Sequence, residues 1–434
     1  MSAYALLTLI GFILFMSRGI TGPVSSLYAE SLGASYVAIG MLGTVSSLTA
    51  VAANTFWGGF LDRLARRKAI LVLGLVLLAA GDVLIALAPD YRFLYAWYVL
   101  NAVAQAAYGT ASLALMGDLL DDRAKARGRR VGAYRGMGSL GFGLMALNAG
   151  LVADRLSLRA PFGIAGGLVL TAALIALLIK EPSQPGGRPL VAELWAALVA
   201  MPGTLSRSLR QRVTRLRIPR PTIGTRARQV STGDVAHLLP LAPLLVSSFL
   251  WSLSMGAVYS VWALYMVTEV GYTPTVMSRL WALASLSEFP LMILAGWLSD
   301  RTGRLPMLCL GFIAWAMVFI GYIVAPIMPW ILGVQLVRGF AFSAFTIGAM
   351  AYATEVRGQD QRGRVAGLYG SAGGLGAILG GATGGTLTQW LGFQPMLGIS
   401  ATLILMGAVY VGIAALRLHM RTRRADTLAP ESDG

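Results

Sequence analysis

Apolar runs of 18 or more residues recur along the whole of this 434-residue chain. Such a run crosses a hydrocarbon core about 30 Å thick. Lipid offers no partner to a bare amide or carbonyl, so a crossing run must satisfy its own backbone as helix. Composition agrees: 56% of residues are hydrophobic and 12% charged, against about 25% charged in a soluble chain. The expectation is an all-α membrane protein of twelve spans, at 4–28, 35–60, 69–89, 92–117, 131–153, 161–180, 238–267, 275–298, 305–325, 329–353, 365–388 and 394–416. The first run is long and lacks a basic leader, so it is expected to stay as span one. Cys309 is the single cysteine and forms no disulfide within the chain.

A net charge of +16 raises the question of nucleic acid. Topology answers it. Of 35 Lys and Arg, 27 fall in loops on the N-terminal side, while the opposite loops carry Arg92, Arg155, Arg159 and Arg279. Loops rich in Lys and Arg stay cytoplasmic. The chain therefore reads as a multi-pass protein of the plasma (inner) membrane, with both termini cytoplasmic and anionic lipid rather than nucleic acid at its basic face.

The chain repeats itself. Gly58-Gly59-Phe60-Leu61-Asp62-Arg63-Leu64-Ala65-Arg66 returns as Gly296-Trp297-Leu298-Ser299-Asp300-Arg301-Thr302-Gly303-Arg304. Arg127-Gly128-Arg129 with Gly132, Tyr134, Gly138 and Gly141 returns as Arg362-Gly363-Arg364 with Gly367, Tyr369, Gly373 and Gly376. Leu27-Tyr28 with Gly33 returns as Leu264-Tyr265 with Gly271. Paired halves in a membrane are the architecture of secondary transporters. The predicted organisation is a six-helix bundle over 1–180, a basic linker over 181–237, a second bundle over 238–416 and a cytoplasmic tail over 417–434, disordered beyond Arg424. The linker joins Pro182, Pro185 and Gly186 to a run of arginines from 207 to 228. It reads as a solvated segment enforcing topology, in preference to a latch on anionic lipid.

The repeated loop resembles the signature of the major facilitator superfamily, G-x-x-x-D-R/K-x-G-R/K between the second and third spans of each half. Ala65 departs from that pattern in the first copy and Leu305 follows the second where another basic residue is usual. The resemblance implies two pseudo-symmetric six-helix bundles and a conformational latch of Gly58, Asp62, Arg63, Arg66 and Asp118, repeated by Gly296, Asp300, Arg301, Arg304 and Glu355. In it, Asp62 meets the positive end of span eleven, Arg66 pairs with Asp118, and Asp300, Arg304 and Glu355 repeat the arrangement beside span five. Two further family patterns are missing. Span four lacks an arginine, reading Asn101-Ala102-Val103-Ala104-Gln105, and 141–150 lacks the proline-containing pattern of antiporters.

A charge inside a span is costly and is a functional candidate by default. Glu288, two residues before Pro290 in span eight, and Asp82 in span three are the candidate proton-coupling acids. For Glu288, proton carriage ranks ahead of a static ion pair and of solute contact; for Asp82, a structural role ranks first. Arg18 in span one and Arg338 in span ten sit on helices that line the central cavity in this family; binding an anionic solute or cooperating with Glu288 ranks ahead of structural pairing. Asn101, Gln105, Tyr259, Trp262 and Gln335 complete the candidate solute-binding set. Amphipathic rings and amides suit an organic solute, and each alone is equally at home in helix packing.

The expected function is secondary active transport of a small organic anion by alternating access, proton-coupled, by a monomer without cofactor or metal. Multidrug/proton antiport is the alternative. An enzyme is disfavoured: no nucleotide-binding loop occurs, and the two histidines, His237 and His419, lie at span ends without a catalytic constellation.

Overall fold

A computed structural model describes residues 2–61, 67–120, 127–179, 240–324, 327–356 and 362–428, with side chains for all of these except 117–120, 127–136, 362–363 and 421–428. The spans are Ala3–Ser31, Tyr36–Leu61, Arg67–Ala86, Tyr91–Leu120, Arg127–Arg155, Ala160–Ala176, Leu241–Glu269, Pro274–Thr302, Arg304–Val324, Met328–Glu355, Arg362–Leu391 and Phe393–Leu428. Eleven are long and apolar enough to cross a membrane, and Ala160–Ala176 is shorter. At about 1.5 Å per residue it still reaches most of the way across the core. Breaks fall where local chemistry demands them. Pro23 converts span one to a 3-10 turn over Gly22–Val24, and Thr273 caps span eight ahead of Pro274. Gly33 and Gly271, equivalent in the two halves, turn the chain with φ of +87° and +82°, a region that side chains with a Cβ avoid.

Span twelve departs from expectation. Helix continues to Leu428, beyond the point where the sequence reading placed a disordered tail. The added turn, Ala425-Asp426-Thr427-Leu428, holds neither Pro nor Gly, and the first helix breaker is Pro430. The linker 181–237 lies outside the described residues.

Two contacts recur in both halves at an offset of 237 positions. The Tyr28 hydroxyl donates to the Ile85 carbonyl at 2.8 Å, and the Tyr265 hydroxyl to the Tyr322 carbonyl at 2.7 Å. Gly74 lies against the backbone of Tyr108 as Gly311 lies against that of Phe345. Without a hydrophobic force between helices in lipid, close backbone approach through small residues supplies the association.

The two halves meet along span two against span eleven and span five against span eight. The fit is uneven along the bundle axis. On the side away from the termini, Gly40, Gly381 and Gly385, and likewise Gly150 against Pro274, leave no room for a Cβ. There, each seam is also closed by a side chain capping the partner half's helix. Thr275 donates its N–H to Asp154 Oδ2 at 3.0 Å and its hydroxyl to the same carboxylate. Tyr36 donates its N–H to Gln389 Oε1 at 3.2 Å. Helix starts carry unpaired N–H groups and a positive end, which is why an acceptor from the other half holds them. On the terminus-bearing side the picture reverses. A Cβ at Gly58, Gly59, Gly296, Gly367 or Gly370 would meet nothing within 4 Å.

The structure is thus sealed on one side and parted on the other among the described residues. Asp154→Ala should release the seal by about 0.5–2 kcal/mol, the worth of an N-cap. A cysteine at Ala38 in a Cys309→Ser background should then react roughly two- to thirtyfold faster with an impermeant thiol reagent added on that side. An unchanged rate would show that Asp154 does not hold the seam.

Candidate functional site

Between the halves lies a cavity of about 330 Å³. Its walls are Phe15 of span one, Ser139 and Phe142 of span five, Trp251, Met255 and Tyr259 of span seven, Trp281, Ser285 and Glu288 of span eight, Trp315 of span nine, and Arg338 and Phe342 of span ten. The charged groups on the wall are Arg338 and Glu288.

Arg338 is 6% exposed and sits in a box of rings. Its guanidinium carbon lies 4.7 Å from the Tyr259 ring centre, 4.8 Å from that of Trp281 and 5.6 Å from that of Trp262. Those rings brace one another, Trp262 meeting Trp281 edge-on at 5.2 Å. A cation over a ring face is worth about 0.5–1 kcal/mol in water and about 2 or more when desolvated. The planar guanidinium suits such a box in a way an ammonium does not. From the polar side, Arg338 donates to Gln335 Oε1 at 3.3 Å, and Gln335 reaches the Tyr322 hydroxyl at 3.4 Å. Glu288 shares the cavity without closing on Arg338. The ion pairs among the described residues are Arg18–Asp82, Arg304–Asp300 and Arg304–Glu355.

Several buried polar groups beside this cavity lack a partner. The Trp251 and Trp315 indole N–H groups are buried without an acceptor. The Tyr259 hydroxyl and Trp262 N–H lie toward the Tyr322 hydroxyl but outside hydrogen-bond geometry. An unmet buried donor costs about 1–3 kcal/mol, so the cluster favours whatever brings negative charge or lone pairs to it.

The N-terminal half carries the opposite imbalance. Asp82 is fully buried between spans one and four. Its Oδ1 takes Arg18 Nη1 at 3.5 Å and Asn101 Nδ2 at 2.8 Å, and Arg18 Nη2 also donates to Gln105 Oε1 at 3.2 Å. Asp82 Oδ2 and Asn101 Oδ1 have no donor. Asn101 occupies the position equivalent to Arg338, 237 residues earlier.

The sequence-derived candidates thus divide. Glu288, Arg338, Tyr259, Trp262 and Gln335 gather in or beside the cavity. Arg18, Asp82, Asn101 and Gln105 form a separate cluster, and Arg18 stands against Asp82 rather than Glu288. Sequence reasoning missed Trp251, Trp281 and Trp315 on the wall, although a tally of tryptophans on spans seven to nine points there.

At the second signature, Arg304 donates from Nε to Glu355 Oε1 at 2.9 Å and from Nη1 to Asp300 Oδ1 at 2.7 Å. Arg301 lies 3.8 Å over the Trp297 ring. Gly296 and Gly58 face open space. Asp62, Arg63 and Arg66 lie outside the described residues, as does the side chain of Asp118.

The model of the MFS_1 like family matches residues 4–397. The chain is 28% identical to the maltose permease of Geobacillus stearothermophilus over 383 residues, 87% of this chain and 86% of that one. It is 24% identical to multidrug resistance protein 2 of Bacillus subtilis (strain 168) over 407 residues, 91% and 92% of the two chains. The crystal structure of a mutant of the nucleoside transporter NupG superposes with a TM-score of 0.74 at 15% identity, covering 95% of this chain and 100% of the other; that likeness is one of fold.

If the ring box holds Arg338, the charge and a ring should be energetically coupled. A double-mutant cycle of Arg338→Leu and Trp281→Leu, read by thermal unfolding in detergent, should give a coupling of about 0.5–2 kcal/mol. Strict additivity would show that the rings merely pack nearby.

Proposed function

This chain belongs to the MFS_1 like family, a secondary transporter in a multi-pass membrane fold, and we propose that it moves a small organic anion coupled to protons through Glu288. The observation that carries this reading is the cavity itself: Arg338 and Glu288 are its charged groups, and the Trp251 and Trp315 indole N–H groups of the same lining lack an acceptor. With Glu288 ionised, the two wall charges cancel. When Glu288 takes a proton, Arg338 is left uncompensated in a low-dielectric site, and an anionic solute restores the balance. Proton and anion thus favour each other's binding. The aromatic walls favour a solute with a flat or apolar body, and the volume lies at the small end of ligand sites.

The uneven seams support alternating access. With the arginine-rich loops retained inside, the parted side would be cytoplasmic and this state open inward at the plasma membrane, with both termini inside. Closure there would bring the signature loops to the facing helix ends, while the Asp154 and Gln389 caps let go on the other side. The unit of function is the monomer, and the basic face rests on anionic lipid.

A second reading rests on the same rings. Trp251, Trp281, Trp315 and Phe142 beside Glu288 also suit a lipophilic cation, and the similarity to multidrug resistance protein 2 makes drug/proton antiport the alternative.

The test is flux in proteoliposomes under an imposed pH gradient, with radiolabelled aromatic carboxylates and lipophilic cations as probes. The account expects gradient-driven accumulation of carboxylates, lost in Glu288→Gln while carboxylate exchange without a gradient persists. Arg338→Ala should weaken carboxylate binding by about 2–5 kcal/mol, the cost of truncating one partner of a buried charge pair. Gradient-driven movement of cations alone would establish antiport, and normal coupling in Glu288→Gln would remove Glu288 from the mechanism.

A further inference from the structure

The N-terminal cluster is built for a ligand of the opposite sign from the cavity's. Asp82 is wholly buried and Asn101 is 8% exposed. Asn101 gives its amide N–H to Asp82 Oδ1, which Arg18 also approaches, while Asp82 Oδ2 and Asn101 Oδ1 are left as two buried acceptors without a donor. Gly81 leaves no room for a Cβ beside Asn101 Oδ1, so the amide is held where it is by the helix in front of it. The other titratable groups facing the carboxylate are few. Span one brings Arg18 and Tyr28, whose hydroxyl is already committed to the Ile85 carbonyl. Span four brings Tyr98, with Asn101 and Gln105 as its neutral polar groups. Span six, over Ala160–Ala176, carries no titratable side chain.

We propose that Asp82 and Asn101 form a second proton site, in which a proton taken up on Asp82 Oδ2 releases Arg18 to Gln105. The structure shows both ends of that exchange at once. Arg18 already divides itself between Asp82 at 3.5 Å, long for an ion pair, and Gln105 at 3.2 Å. Protonation turns Oδ2 from an unmet acceptor into a donor beside a pair with acceptor capacity to spare, and it removes the negative charge that holds Arg18. The step is a simple proton uptake from water: the carboxylate becomes a carboxylic acid and nothing else changes oxidation state. A metal ion is the poorer occupant, because hard cations gather a shell of oxygens and here two unpaired oxygens stand beside a guanidinium. The site deepens the proton-coupled reading and rests on it, but not on Glu288.

Infrared difference spectroscopy of the full-length protein in lipid tests the site directly. On a step from mildly alkaline to mildly acidic pH, two bands of protonated carboxyl groups in low-dielectric surroundings should appear. Asp82→Asn should remove one and keep the other, and Glu288→Gln should do the reverse. Loss of the Asp82 band with no band assignable to Glu288 would sink the coupling role given to Glu288 and leave the second site standing. An Asp82→Asn spectrum identical to the wild type would overturn the second site. So would an Asp82 band abolished at constant pH when sodium replaces choline, since a metal ion would then be the occupant. Should Asp82→Asn fail to fold, Asn101→Ser takes its place: the band must shift in frequency as its amide partner is lost, and an unmoved band would contradict the proposal.

Discussion

An ionised group inside a membrane has to be met, and in this chain the meeting is only half complete. Arg338 is held by rings and one amide rather than by a carboxylate, with Glu288 on the same cavity wall. Rings stabilise a cation without neutralising it. That leaves the charge available, fixed in direction, and on a cavity between the two halves. Everything assigned to the site depends on this incomplete pairing. A closed Arg338–Glu288 bridge would be a structural cross-link, costly to open, and would leave a solute nothing to bind.

The two halves share a backbone plan and differ in chemistry at equivalent places. Tyr28 and Tyr265 make the same bond to the same carbonyl position, yet position 101 is an amide serving a buried acid and position 338 a guanidinium in a ring box. Asp82 and Asn101 leave two buried oxygens without a donor, while the Trp251 and Trp315 indoles by the cavity lack an acceptor. The proposed proton site in one half and anion site in the other would be a division of labour that symmetry of fold permits and symmetry of sequence would forbid. The caps at the seams obey the same electrostatics. Asp154 at the start of span eight offers its carboxylate to a helix's positive end.

Much of the fold was legible from residues alone, because lipid reduces the choice of backbone structure to helix and because apolar length counts spans. The duplicated Gly-Asp-Arg loop set the two-half plan, and the family resemblance implied the Arg304–Glu355 contact, which stands at 2.9 Å. The partners of the buried charges were less legible. Arg18 and Glu288 both lie deep in their spans, and only helix rotation decides that Arg18 turns to span three while Glu288 turns to the cavity. Spacing along one helix says which residues share a face; it does not say which neighbour that face meets. For the same reason Trp315, on a span assigned no role, appears on the cavity wall. The helix beyond Arg424 was missed because the polarity of the tail was read as disorder, whereas helix runs on through Ala425-Asp426-Thr427-Leu428.

The central claim, an anion site built on Arg338, is tested most directly by ligand-dependent stability. Detergent-purified protein should be stabilised against heat by aromatic carboxylates and not by their amides, more strongly at acidic than at alkaline pH because protonation of Glu288 frees Arg338. A ligand at a hundred times its dissociation constant adds about 2.7 kcal/mol, ample for detection, and the gain should vanish in Arg338→Ala. Stabilisation by lipophilic cations with none from carboxylates, or a carboxylate effect that survives Arg338→Ala, would contradict the account.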